Sequence, residues 1–238
     1  MELKNNLAAM DLKSNSNNII QRIQEAAERV GRDPHEIKLV AVTKRVEPER
    51  IEQALALGID TFGENYAQEF RDKAKILTEQ TDKKIKWHFI GQLQKNKVKY
   101  IVGKVELIHS LDSLSVAKEI NKRAEGLEIT VPVLIEVNIG GEESKGGIIP
   151  AQLESFLNEL SGLSSVEVRG LMTMPPYFDN VEMARPYFIR LREIRDDLLP
   201  LFPKLKELSM GMSGDFEVAI EEGATIIRVG SAIFGERN

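Results

Sequence analysis

Eight short apolar runs, separated by segments of helical spacing or composition, constrain this chain more than any other feature. The runs are Lys38–Thr43, Asp60–Phe62, Lys86–Ile90, Glu106–His109, Val133–Val137, Glu167–Met172, Glu207–Met210 and Thr225–Val229. We read each as a strand. Helices are expected between them, over Pro48–Leu57, Tyr66–Thr78, Gln94–Val102, Ser113–Glu125, Ala151–Leu160, Val181–Leu199 and Phe216–Glu222. A first helix is expected from about Asn17 to Arg29, where Ile19, Ile20, Ile23, Ala26, Ala27 and Val30 recur at helical spacing before the stop signals Gly31 and Pro34. Residues 1–16 read as a polar, Asn-rich extension and residues 17–238 as a single domain.

Strands alternating with helices imply right-handed parallel crossovers. Eight of them in 238 residues match a closed (β/α)8 TIM barrel, with the extra N-terminal helix standing where a helix after the eighth strand would lie. An open doubly wound sheet is the competing architecture. Closing the barrel makes the first and eighth strands neighbours, about 5 Å apart. Val40, Val42 and Lys44 then share one face, as do Ile226, Arg228 and Gly230. If both faces point inward, Lys44 and Arg228 meet at the C-terminal mouth, where barrel enzymes carry their chemistry. Two cations brought together need an anionic or electron-rich ligand between them.

Most lysines at strand ends are solvated, so the loops have to supply the rest of the argument. The seventh loop is Gly211-Met212-Ser213-Gly214-Asp215 and the eighth begins Gly230-Ser231-Ala232. Loops at these two places form the usual phosphate site of such barrels. Ser213 has the chemistry of a helix N-cap or a phosphate donor, and glycine lets backbone amides approach oxygen closely. Met212, Ser213, Gly214, Gly230 and Ser231 therefore form a candidate phosphate cradle. Either loop alone reads as a plain turn. A lysine beside such a cradle points to an imine with an aldehyde cofactor.

Composition narrows the classes of function. With 42% apolar and 29% charged residues, the chain is an ordinary globular protein. A formal net charge of −5 argues against a broad nucleic-acid surface. No apolar run reaches the roughly eighteen residues of a membrane span, and the N-terminus lacks the hydrophobic stretch of a secretory signal; a cytoplasmic location is expected. The absence of cysteine removes disulfides, thiolate metal sites and a cysteine nucleophile. His35, His88 and His109 are scattered without metal-ligand spacing, so no metal is expected.

Several longer motifs stand in fixed order. They include Leu39-Val40-Ala41-Val42-Thr43-Lys44, Phe62-Gly63-Glu64-Asn65-Tyr66 and Trp87-His88-Phe89-Ile90-Gly91-Gln92-Leu93-Gln94. Asn138-Ile139-Gly140, Glu143-Ser144-Lys145-Gly146-Gly147 and Arg169-Gly170-Leu171-Met172-Thr173-Met174 follow. Leu208-Ser209-Met210-Gly211-Met212-Ser213 and Arg228-Val229-Gly230-Ser231-Ala232-Ile233-Phe234-Gly235 complete the set. Together they resemble the pyridoxal-phosphate homeostasis proteins, single-barrel relatives of the alanine racemase N-terminal domain, over nearly everything after about residue 17. The resemblance implies pyridoxal 5'-phosphate held on Lys44 as an internal aldimine. It also implies Asn65 beside the cofactor, Arg228 facing the pyridine nitrogen, and Ser213, Gly230 and Ser231 on the phosphate. Ser231 stands where the family often has threonine, and either hydroxyl can donate to phosphate.

Arginine opposite the pyridine nitrogen can only donate a hydrogen bond, whereas a carboxylate would favour the electron-withdrawing pyridinium. The expected protein therefore holds pyridoxal phosphate and stores, protects or delivers it, with no dedicated substrate and no catalytic residue assigned. Apo forms of enzymes that use the cofactor are its expected recipients, and a monomer is the expected state. The alternative is a racemase or related enzyme of unidentified substrate, with Tyr66, His88 or His109 near the mouth. Lys145 is the rival imine lysine; it follows a polar loop, where a solvated lysine is the ordinary reading.

Overall fold

The computed structural model describes residues 2–142 and 146–235, with side chains from Asp11 onward. Its eight strands are β1 (Lys38–Val42), β2 (Thr61–Glu64), β3 (Lys86–Phe89), β4 (Leu107–Leu111), β5 (Val131–Glu136), β6 (Val166–Met172), β7 (Glu207–Ser209) and β8 (Ile226–Val229). They close in chain order into one parallel barrel. The closing seam pairs Lys38 with Ile226, Val40 with Arg228 and Ala41 with Val229. The helices are α1 (Glu2–Arg29), α2 (Pro48–Ala56), α3 (Ala67–Gln80), α4 (Leu114–Glu125), α5 (Leu153–Leu160), α6 (Arg185–Leu198), α7 (Phe216–Glu221) and α8 (Ser231–Phe234). The expected helix after β3 is a 3-10 segment over Lys95–Tyr100.

Side-chain alternation sorts the strand residues into two apolar layers. Val40, Leu107, Leu134, Met172 and Ile226 fill the barrel interior. Phe62, Trp87 and their neighbours face the helices, where the Trp87 ring lies 5.9 Å from Phe62 and 5.5 Å, edge-on, from Phe70 of α3. Local signals agree with this frame: Ser113 caps α4 by accepting from the Val116 amide at 3.4 Å. Pro48 opens α2, where a missing N–H costs nothing.

The N-terminal segment departs from the sequence reading. α1 starts at Glu2, not near Asn17. Leu12 and Ser16 are buried, Ser16 Oγ donates to Leu12 O at 2.7 Å, and Asn15 Nδ2 donates to Ile233 O at 3.2 Å. The residues before Asn17 thus include part of a packed helix. Between Asp11 and Asn18 the one apolar residue is Leu12, flanked by Asp11 and Lys13, so the apolar spacing that resumes at Ile19 is interrupted there and does not announce a continuous helix. α1 packs on α7 and α8, the position expected for it.

Candidate functional site at the barrel mouth

A turn carries Lys44 out of β1. Val46 N–H donates to Thr43 O at 2.9 Å, leaving Lys44 and Arg45 as the two central residues, and Arg45 has a left-handed φ of 57°. Val42 and Lys44 both line a cavity of about 940 Å³ at the C-terminal mouth. Arg228 reaches the same cavity from β8. Its guanidinium is buried and fixed in plane: Nη1 donates to Ser209 Oγ at 2.5 Å and Nη2 to Thr173 O at 3.0 Å. Burial lowers its pKa to about 10, with the Glu136 and Asp215 carboxylates pulling the other way. It remains charged at neutral pH.

Behind Arg228 a polar chain crosses the barrel interior. Ser209 Oγ lies 2.8 Å from His109 Nδ1, and His109 Nε2 lies 2.8 Å from His88 Nδ1. Burial, with the cations Lys38 and Lys86 adding to it, lowers His88 to about 3. Burial also holds His109 well below the ordinary histidine range, with His88, Arg228 and Lys38 acting in the same direction. Both imidazoles are therefore neutral. Arg228 can only donate, so the Ser209 oxygen accepts. Among the described residues, the Ser209 hydroxyl hydrogen has His109 Nδ1 as its acceptor, and His109 Nε2–H then donates to His88. The chain runs one way from a fixed cation. These histidines are not at the mouth, as the alternative enzyme reading had them, but inside the barrel wall.

The loops after β7 and β8 meet through Ser213. Its Oγ accepts from the Gly230 amide at 3.1 Å and the Ala232 amide at 3.4 Å, so two backbone donors converge on one point. Asp215, and not Ser213, is the N-cap residue of α7; its Oδ1 accepts from the Met212 amide at 2.6 Å. Gly211 makes the tight approach possible: φ is +92°, and a Cβ there would lie 2.6 Å from Ala219 Cβ. Asn65 follows β2, and its backbone is seated against Gly91, where a Cβ would lie 2.1 Å from Asn65 O. Asn65 lines the cavity, and its Oδ1 is buried without a hydrogen-bond partner among the described residues. A buried amide oxygen left unpaired costs on the order of 1–3 kcal/mol, which a ligand donor would relieve.

All of the residues expected at the site (Lys44, Asn65, Met212, Ser213, Gly214, Arg228, Gly230 and Ser231) line this one cavity. Lys145, the rival lysine, lies outside the described residues. Glu136, Asn138, Asp215 and Tyr177 also line the cavity without having been assigned to it. Glu136 was recoverable, since it shares parity with the interior residue Leu134 on β5. Its carboxyl is pushed up by burial and then by Asp112, against the pull of Arg228. A fixed arginine, a lysine, the unpaired Asn65 oxygen and the Ser213 and Gly230-Ser231 loops suit a ligand that combines a phosphate, a heteroaromatic ring and an amine-reactive carbon. The donor set fits pyridoxal phosphate.

Comparisons with known proteins agree with this geometry. The alanine racemase N-terminal domain family matches residues 14–238. The pyridoxal phosphate homeostasis protein of Aquifex aeolicus is 52% identical over 92% of this chain and 95% of its own length. A structure from Bifidobacterium adolescentis, described as an unknown protein, superposes with a TM-score of 0.89 at 37% identity, covering 96% of both chains. PipY of Synechococcus elongatus, solved with PLP bound, gives a TM-score of 0.79 at 36% identity, covering 90% of this chain and 100% of that one. On its barrel, its mouth and these relatives, the chain belongs to the pyridoxal phosphate homeostasis proteins of the alanine racemase N-terminal domain family.

Proposed function

We propose that this protein binds pyridoxal 5'-phosphate in the mouth cavity, attached through Lys44, and serves cofactor homeostasis by storing, protecting or delivering it. When bound, the cofactor supplies an aldehyde that condenses with a primary amine. The observation that carries the reading is the convergence of Lys44, buried Arg228 and the loop residues Ser213, Gly230 and Ser231 on one cavity. Ser213, Gly230 and Ser231 would hold the phosphate, with Met212 and Gly214 in the same loop wall and Asn65 beside the ring.

Arg228 also favours a carrier over an enzyme. Held by Ser209 and Thr173, it offers the ring nitrogen a donor and no proton acceptor, which leaves the ring a weak electron sink. Delivery to apo enzymes, and a monomeric state, belong to this reading. A second reading, slow turnover of an amino acid, rests on Glu136, a cavity carboxyl with a raised pKa.

Borohydride reduction of protein incubated with pyridoxal phosphate, followed by peptide mass mapping, tests the attachment. The cofactor mass is expected on Lys44 and absent from Lys44→Ala; an unmodified wild type, or modification only elsewhere, would overturn the assignment. Steady-state racemisation or α-proton exchange across a panel of L-amino acids would favour the second reading.

A further inference from the structure

Behind the Lys44 turn, on the outer side of the barrel wall, lies a buried ionic cluster that the binding cavity does not include. Glu64 shares the outward face of β2 with Phe62, opposite α3. From α3, Lys73 Nζ donates to Thr43 O at 2.5 Å, Glu64 Oε1 at 2.9 Å and Glu69 Oε1 at 2.6 Å. An ammonium has three hydrogens, and each has an acceptor. Thr43 Oγ1 donates to Glu64 Oε1 at 2.7 Å, and the Arg45 amide donates to Glu69 Oε1 at 2.5 Å. The residues on both sides of Lys44 are thus tied to one cluster.

Two further features are hard to explain by stability alone. Arg45 adopts left-handed backbone, which costs on the order of 1 kcal/mol and persists only where its surroundings over-determine it. A buried ion pair is commonly no more stabilising than apolar residues of the same volume. What an apolar residue at position 73 could not do is hold the Thr43 carbonyl, which also closes the turn.

We propose that Lys73, with Glu64 and Glu69, is a positioning device for Lys44: it fixes the turn from outside the barrel and so sets the direction in which the Lys44 amine enters the cavity. This rests on the reading that Lys44 carries the aldehyde. The device touches no part of the cofactor, so it governs the rate of covalent attachment and not the affinity for phosphate and ring. A misplacement of about 1 Å at a reacting atom can cost on the order of a hundredfold in rate.

The test compares wild type with the double variant Lys73→Met/Glu64→Gln, which leaves no charge on the fully buried Glu64 side and keeps the partly exposed Glu69 carboxylate on the Arg45 amide, and with Glu69→Ala and Glu69→Gln. Three quantities are read: the rate of borohydride-reducible attachment at Lys44, the affinity for 4'-deoxypyridoxine 5'-phosphate (which lacks the aldehyde), and hydrogen exchange of the Arg45 amide in cofactor-free protein. In the double variant and Glu69→Ala, attachment is expected to slow about tenfold or more, analogue affinity to stay within about twofold, and Arg45 exchange to accelerate. Glu69→Gln keeps an acceptor oxygen and is expected to restore attachment to within a few-fold of wild type. Unchanged attachment, or analogue affinity falling in step with it, would overturn the proposal. A wild type whose Lys44 takes no cofactor would instead sink the functional reading, and the exchange of Arg45 would still decide whether the cluster anchors the turn.

Discussion

Ser209 is the residue through which Arg228 connects to the neutral histidine pair. Ser209→Ala would leave His109 Nδ1 and one guanidinium hydrogen without partners, so a loss of about 1–3 kcal/mol is expected by denaturant unfolding. The histidines make stability pH-dependent in a defined sense. Folded His88 titrates near 3 and an unfolded histidine near 6.5, so below pH 6.5 the unfolded chain takes up protons that the folded chain refuses. Their contribution is complete above 6.5 and falls as pH drops toward 3, by at most roughly 1.4 kcal/mol per pH unit for each histidine. The raised carboxyls Glu64, Glu136, Asp112 and Asp215 act oppositely, favouring the folded state as they protonate on acidification. Unfolding of wild type and His88→Gln/His109→Gln between pH 4 and 7 separates the two: the variant should lose the histidine slope, and an unchanged slope would refute the neutral pair. The sequence showed two histidines on neighbouring strands but not their partner Ser209, because His109 and Ser209 are 100 residues apart.

At the scale of elements, α1 is the largest departure from what the sequence discloses. Leu12 is fully buried although its surroundings are polar, so Leu12→Ala is expected to cost about 2–5 kcal/mol, the range for emptying a well-packed leucine site. A change below about 0.5 kcal/mol would instead match a solvated extension. The strands were legible because continuous apolar runs bounded by turn residues mark strands covered on both faces. The 3-10 segment at Lys95–Tyr100 was less so, since helical composition does not distinguish the tighter turn. Met210 and Met172 pack into the cores, whereas Met174 and Met212 are exposed at the rim; four methionines of similar sequence context divide by burial alone.

For the molecule as a whole, the binding groups and the folding core are separate layers. The interior apolar cluster lies beneath the mouth, and the larger one lies between strands and helices. Lys44→Ala should therefore leave the barrel folded, with a cofactor-free melting temperature within a few degrees of wild type. Wild type should gain about 2.7 kcal/mol at a ligand concentration one hundred times Kd, read as a shift in thermal midpoint. Sedimentation over a range of concentrations should give the 26.8 kDa mass of one chain; a dimer mass would contradict the monomer proposal. Among the described residues, no helix is long and apolar enough to cross a membrane.

What the amino-acid sequence determined by itself was periodic and local. The order and number of strands, the cation at the end of β1 and the parity of Arg228 all follow from which residues are apolar and where glycine and proline interrupt them. Given closure, parity puts Val40, Val42 and Arg228 on the interior face, and the turn after β1 carries Lys44 to the same mouth. Only the tertiary structure decided which buried polar groups would meet. The chain from Arg228 to His88 and the cluster of Lys73, Glu64 and Glu69 behind the Lys44 turn depend on barrel register and on where α3 lies across its strand. Apolar burial is non-directional, so composition and periodicity carry it. A buried hydrogen bond requires two particular atoms within about 3 Å, and no local pattern encodes that distance between residues far apart in the chain.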